Sequence, residues 1–310
     1  MKKLLIVALL ASSSWSAAAQ DSPLAWAARL ENSYRIVPNV TYLTASNVEA
    51  KVDLFVTRTP DKPLPTMVYI HGGGWTGGTK ESRNVALLPY LDMGMNVVNV
   101  EYRLARVAQA PAAVEDCRCA LRWVIQNAKQ YGIDVNRIVV SGESAGGHLA
   151  LTTGMLTRSN GFDRMCQEEN DPKVAAIVNF FGITDLPDML DGPNKKPFPE
   201  SWPYTVQWIG NQPNRVEIAK AASPLTYVRA GLPAVISIHG DADTLVPYQH
   251  SVRLNDALQK AGVAHELVTI AGGGHGNFKP EEWQRAFAAI EKFLAAHVPA
   301  TKVPSTAGRP

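Results

Sequence analysis

A serine hydroxyl attacks an acyl group only when a base takes its proton, and that base needs an acid to fix its tautomer. Ser144 stands in Gly142-Glu143-Ser144-Ala145-Gly146, a Gly-x-Ser-x-Gly pentapeptide. The β-branched run at 138–140 precedes it, and an apolar, helix-favouring stretch at 145–155 follows. Strand, sharp turn and helix form the setting in which this pentapeptide becomes a nucleophile elbow. The backbone N–H of Ala145 would open that helix and face an anion forming beside Ser144. The chemistry these residue types point to is acyl transfer through a covalent intermediate.

Seven histidines compete for the role of base. His71 and His239 end strands ahead of glycine turns, where holding backbone is the expected task. His148 packs in the helix after Ser144, His250 and His297 read as helix-surface residues, and His265 edges a strand. His275 differs, because Ala271-Gly272-Gly273-Gly274-His275-Gly276 is a flexible loop directly after the last strand. That loop is expected to reach back towards Ser144. For the acid, Asp241 and Asp243 follow the strand ending at His239, and Asp185 follows the strand before it. The chain order serine, acid, histidine suits such a sheet. Asp243 is preferred because it lies far enough from the strand end to turn inwards. Asp241 and Asp185 stay as alternatives, with turn capping as the role of the losers. His71-Gly72-Gly73-Gly74 presents bare backbone, so Gly73 and Gly74 join Ala145 as expected oxyanion donors, and Trp75 would wall the pocket.

The elements that must hold these residues read as an α/β pattern. Strands are expected at 48–58, 66–70, 95–100, 138–140, 174–180, 234–238 and 265–270. Helices are expected at 112–131, 145–155, 254–261 and 281–296. Apolar strands alternating with helices imply a mostly parallel central sheet flanked by helices, with active residues on loops beyond the carboxyl ends of the strands. The pattern breaks at about 185–225, where Pro187, Pro193, Pro197, Pro199, Pro203 and Pro213 accompany Trp202, Tyr204 and Trp208. This stretch is expected to be a small cap insertion over the sheet, with Trp75, Trp202 and Trp208 lining a substrate pocket.

Residues 1–19 carry Lys2 and Lys3, a short apolar core and Ala17-Ala18-Ala19, the layout of a cleavable signal peptide. The expected product is an exported protein, periplasmic or secreted, with no membrane association after cleavage. Residues 20–300 would form one domain and 301–310 a disordered tail. A formal charge of +2 with 19% charged residues leaves no basic stripe for nucleic acid. The cysteines, Cys117, Cys119 and Cys166, lack zinc-like spacing. Cys117 falls on the apolar face of the 112–131 helix, and Cys119 lies about 200° around it. The expected pairing is Cys119–Cys166 with Cys117 a buried thiol, three reduced thiols being the alternative. No metal or cofactor is called for. The run Gly72-Gly73-Gly74-Trp75-Thr76-Gly77 also fits Gly-x-Gly-x-x-Gly. It continues into polar Gly78-Thr79-Lys80-Glu81-Ser82 rather than an apolar helix, which counts against a dinucleotide site.

His71-Gly72-Gly73-Gly74-Trp75, Asp116 with Trp123, Tyr131-Gly132-Ile133-Asp134 and the elbow at 142–149 resemble the α/β-hydrolase fold. More narrowly they resemble the acetylxylan/feruloyl esterase-like (BD-FAE) carboxylesterases, near the hormone-sensitive-lipase-like esterases. Ser223-Pro224, the run from His239 to Pro247 and Gly274-His275-Gly276 extend the likeness over roughly 48–296. The resemblance implies a nucleophile at Ser144, acid at Asp243, base at His275 and oxyanion donors at Gly73, Gly74 and Ala145. It also implies a small-molecule or polysaccharide-linked ester as substrate. Lipase-like relatives usually carry Asp-Pro-Leu around the acid and a large N-terminal cap. The acid motif Asp-Ala-Asp-Thr-Leu-Val-Pro and the short stretch before residue 48 depart from that, which favours short or polymer-attached acyl groups. A serine peptidase of the same fold would ordinarily carry a gating domain, and a non-catalytic binding module would usually have lost a triad member.

Overall fold

Strand residues that must bury both faces read as unbroken apolar runs, and five such runs build the centre of this molecule. A computed structural model describes residues 22–166, 171–192 and 204–298. The expected signal segment, the tail and Trp202 lie outside the described residues. The sheet holds β1 (Tyr34–Ala45), β2 (Val48–Thr57), β3 (Leu64–Ile70), β4 (Asn96–Val100), β5 (Ile133–Glu143), β6 (Ala176–Phe180), β7 (Ala234–Gly240) and β8 (His265–Ile270). Their spatial order is β1-β2-β4-β3-β5-β6-β7-β8. The pairings β1–β2 and β2–β4 are antiparallel, and all others are parallel.

The helices are α1 (Pro23–Ser33), α2 (Leu88–Asp92), α3 (Ala112–Gln126), α4 (Ala128–Tyr131), α5 (Ala145–Met155), α6 (Leu186–Leu190), α7 (Tyr204–Ile209), α8 (Arg215–Ala221), α9 (Gln249–Lys260) and α10 (Pro280–His297). Successive strand side chains point to opposite faces, which divides the core in two. Val68, Ile70 and Val140 pack with Leu121 of α3, Leu149 of α5 and Leu254 of α9. Met67, Tyr69 and Val139 pack with Tyr90 of α2 and with Ile290 and Phe293 of α10. A parallel sheet covered by helices on both faces is the architecture the alternating pattern predicts.

The elements depart from that reading in several places, among them α1, β1 and α2, which the pattern does not predict. Tyr34–Ala45 forms the edge strand β1, although Pro38 and the left-handed Asn39 interrupt its alternation and shift its register. The helix expected at 112–131 ends at Gln126, and a separate turn, α4, stops at the left-handed Gly132. A disulfide joins Cys119 to Cys166, and Cys117 is a buried free thiol on the core side of α3. The same junction is bound electrostatically. Asp163, just before Cys166, accepts hydrogen bonds from both Arg118 and Arg122 of α3.

Candidate active site

The turn between β5 and α5 is too tight for ordinary side chains. A Cβ on Gly146 would sit 2.1 Å from the carbonyl oxygen of Ile70, and one on Gly142 would sit 2.3 Å from that of Gly146. Ser144 between them adopts φ 55° and ψ −120°, a conformation that L-residues seldom occupy. Its N–H donates to the Phe180 carbonyl and its own carbonyl accepts from His148 N, so both neighbours of the turn hold it in place. The outcome is a half-exposed hydroxyl beyond the carboxyl edge of the sheet.

The loops after β7 and β8 are stitched to one another. Ala242 N donates to the Gly273 carbonyl, Asp241 N to the Ile270 carbonyl, and Gly272 N to Asp241 Oδ1 at 2.6 Å. This brings His275 against both its expected partners. His275 Nε2 lies 2.9 Å from Ser144 Oγ, and His275 Nδ1 lies 2.7 Å from Asp243 Oδ2. Because the carboxylate only accepts, Nδ1 carries the proton and Nε2 is left to accept from the serine hydroxyl. The Phe181 ring packs on the imidazole, with centroids 4.6 Å apart.

Of the three acids weighed from the sequence, Asp243 is the one beside His275. Its other oxygen, Oδ1, accepts from Leu245 N at 2.8 Å and Val246 N at 2.9 Å, a side-chain-closed turn. Burial alone raises this carboxyl. The hydrogen bonds from His239, His275 and Val246 N outweigh burial and hold it well below the usual carboxylate range. Asp241 is exposed and caps the stitched loops, while Asp185 pairs with Arg253 on α9.

Gly73, Gly74 and Ser144 line one cleft of about 530 Å³ together with Phe181, Tyr204 and His275. Gly73 has φ 114° and Gly74 φ 59°, so the loop turns its backbone in a way only glycine adopts without strain. Among the described residues, the N–H groups of Gly73, Gly74 and Ala145 do not donate to backbone carbonyls in turns or loops. They are available to an anion. A Cβ on Gly74 would strike the Tyr204 side chain at 2.7 Å, which places α7 directly over this loop.

The tryptophan expectation needs correction. Trp75 and Trp208 are both fully buried and do not line the cleft. Their rings stack with centroids 4.2 Å apart, and the edge of His148 meets Trp75. Trp75 takes a left-handed φ of 59°, which swings its ring inwards, away from the cleft. Tyr204, Phe181 and Leu245 face the cleft instead. Arg83 and Glu143 also line it, joined by an ion pair. Among the described residues, no group of three or more His, Cys, Asp or Glu side chains is arranged to hold a metal ion.

The model of the BD-FAE family matches residues 52–258, two thirds of the chain. The chain belongs to the BD-FAE family. Among curated relatives, the esterase LipC of Mycobacterium tuberculosis is 29% identical over 70% of this chain and 54% of its own length. The probable carboxylic ester hydrolase LipM of the same organism is 31% identical over 67% of this chain and 48% of its own. This BD-FAE chain thus spans about half the length of the curated relatives it matches. Among solved structures, a truncated carbohydrate esterase from gut microbiota superposes with a TM-score of 0.71 at 27% identity, covering 86% of this chain and 97% of that one. Esterase 2 of Thermogutta terrifontis gives 0.69 at 28% identity, covering 86% and 93%, and has also been solved with butyrate and with propionate bound. These neighbours carry the α/β-hydrolase fold.

Proposed function

We propose that this chain is a serine carboxylesterase that hydrolyses short-chain or carbohydrate-linked esters through an acyl-enzyme. The observation that carries the reading is the unbroken relay from Ser144 Oγ through His275 to Asp243 Oδ2, at 2.9 and 2.7 Å, beside a glycine loop with free N–H groups. His275 Nε2 accepts the hydroxyl proton as Ser144 Oγ bonds to the ester carbonyl carbon. The carbonyl oxygen takes the negative charge and is held by the N–H groups of Gly73, Gly74 and Ala145. Asp243 stabilises the imidazolium without taking its proton. The C–O bond to the alcohol then breaks, and Nε2 hands its proton to the departing alkoxide. Water enters and gives a proton to Nε2 as its oxygen bonds to the acyl carbon. The bond from Ser144 Oγ to that carbon then breaks as Nε2 returns the proton to Oγ, and the acid leaves.

The substrate class rests on relatives and on size. The carbohydrate esterase among the structural neighbours and the small acids bound to the Thermogutta enzyme favour small acyl groups. A cleft of about 530 Å³ has room for such a group together with one sugar ring. Tyr204 stands over its glycine wall and donates to the Leu245 carbonyl at 2.9 Å, which suits the role of a small cap. The disulfide, and the absence of any described helix long and apolar enough to cross a membrane, are consistent with an exported protein.

The test is turnover of p-nitrophenyl acetate, p-nitrophenyl octanoate, methyl ferulate and acetylated xylan by the parent and Ser144→Ala. The alanine variant should lose about four orders of magnitude or more in kcat on every substrate the parent uses. Equal rates from the two proteins would remove the serine mechanism. A parent fastest on the octanoate would remove the short-chain assignment.

A further inference from the structure

We infer that His239 is a positioning residue for this reaction: it shares with His275 the single carboxylate oxygen of Asp243 and so sets how much charge the acid presents to the base. The inference rests on the Ser144–His275–Asp243 reading above and adds a fourth member to it.

His239 is fully buried at the carboxyl end of β7, four residues before Asp243. Its Nε2 lies 3.2 Å from Asp243 Oδ2 and 3.0 Å from the Val246 carbonyl oxygen. A carbonyl only accepts, so Nε2 carries a proton and divides it between these two acceptors. Nδ1 lies 2.7 Å from Ser251 Oγ, whose hydroxyl donates to it when the ring is neutral. The ring is thereby fixed at both nitrogens by a strand, a turn and the first turns of α9.

Oδ2 of Asp243 is also the acceptor of the His275 Nδ1–H, while Oδ1 is occupied by two backbone N–H groups. Every lone-pair direction of the carboxylate is thus assigned. Each donor favours the ionised form and draws density from the oxygen it binds. A second imidazole donor on Oδ2 therefore weakens the pull of that oxygen on the imidazolium of His275. It also stops the carboxylate from rotating away when His275 moves its proton.

Other groups face this pair without binding Oδ2. From α9, His250 packs nearby, with its Nε2 3.4 Å from Asp188 Oδ2 of α6. Burial, then the charge of Arg253, pushes it down to about 4, so it stays neutral in the working range. The Tyr248 ring meets His239 edge-on at 5.6 Å, and Phe181 lies between the two imidazoles at 6.3 Å from His239 and 4.6 Å from His275. Tyr204 of α7 stands near Asp243, its hydroxyl pushed up by burial and kept neutral. Across the cleft, Arg83 and Glu143 neutralise each other.

The experiment is the pH profile of kcat/KM on p-nitrophenyl acetate for the parent, His239→Leu and His239→Gln, each checked for folding by circular dichroism, with Ser144→Ala alongside. Removing the donor leaves more charge on Oδ2, which favours the protonated base, so the acid limb should move upward. The leucine variant is expected to shift it by about one pH unit and to lower kcat about tenfold, with KM within about twofold. Glutamine can donate from about where Nε2 sits and should restore the limb. A merely structural histidine would change thermal stability and leave the limb in place. A folded leucine variant with an unmoved limb overturns the inference, as does a glutamine variant displaced as far as leucine. If His239→Leu does not fold, Ser251→Ala frees the ring and should give a smaller shift of the same sign, with an unmoved limb overturning the inference there too. Ser144→Ala as active as the parent would remove the triad reading and this inference together. Loss of activity in Ser144→Ala beside an unmoved limb removes the role of His239 alone.

Discussion

Trp208 and Trp75 stack beneath the glycine loop with no solvent contact, so truncating Trp208 opens a void in the core and removes no group that lines the cleft. Trp208→Ala should cost about 3–5 kcal/mol in a urea titration, while KM for p-nitrophenyl acetate stays within about twofold in the protein that remains folded. A large rise in KM without loss of stability would return Trp208 to the pocket wall. At this scale the sequence was legible where chemistry dictates type and spacing. Ser144 needs its glycines, His275 needs a glycine-rich loop after a strand, and both are readable one segment at a time. Trp75 was not readable in this way, since its burial depends on Trp208 and His148, far along the chain. A strand-end histidine ahead of glycine reads as a backbone holder, and Nε2 of His239 does bind the Val246 carbonyl. Its contact with Asp243 depends on how the next turn folds back, although a strand-end histidine four residues before a candidate acid was a usable signal.

The elbow is the element on which the site depends. Its glycines are required by close approach, since a methyl group on Gly146 would lie 2.1 Å from Ile70 O and 2.6 Å from His71 O, both backbone. Backbone cannot swing aside as a side chain can, so β3 and α5 would have to separate. Gly146→Ala should lower the thermal midpoint by several degrees, as expected for about 1–3 kcal/mol of overpacking, and reduce kcat on p-nitrophenyl acetate in the same protein. A variant with parental midpoint and kcat would mean that the turn is looser than this geometry. The strand before the elbow and the helix after it were legible from β-branched and apolar runs. Edge strand β1 was not, because Pro38 and Asn39 break its period and one of its faces meets solvent. An edge strand that twists and bulges keeps its hydrogen bonds and loses its pattern.

Taken whole, the molecule buries four imidazoles among its described residues, and burial holds two of them, His148 and His250, neutral. Burial pushes His148 down to about 4, with only a hydrogen bond to the Ala222 carbonyl opposing it, and His250 is lowered to a similar value. The folded state thus refuses protons that the unfolded chain takes up below about pH 6.5. Stability from this source is fully present above that pH and is lost progressively as the pH falls towards 4. The thermal midpoint should therefore decline over this window, and His148→Gln should flatten the decline in a calorimetric series from pH 4 to 7. An identical slope in the variant would remove His148 as a cause. At this scale the layered sheet was legible from alternation alone, because a parallel sheet needs apolar runs of strand length with helices between them. The stretch at about 185–225 reads from sequence only as a break in that pattern, and the position of Tyr204 over Gly74 could come only from the assembled chain.

The bond between Cys119 and Cys166 closes a covalent ring of polypeptide, and β5, the elbow and α5, with Ser144, all lie inside it. A single cut by an external protease anywhere between those two cysteines would leave Ser144 attached to both halves of the chain. The broken molecule would stay one particle with its strands in register. The segment that carries Ser144 thus tolerates one scission without being released.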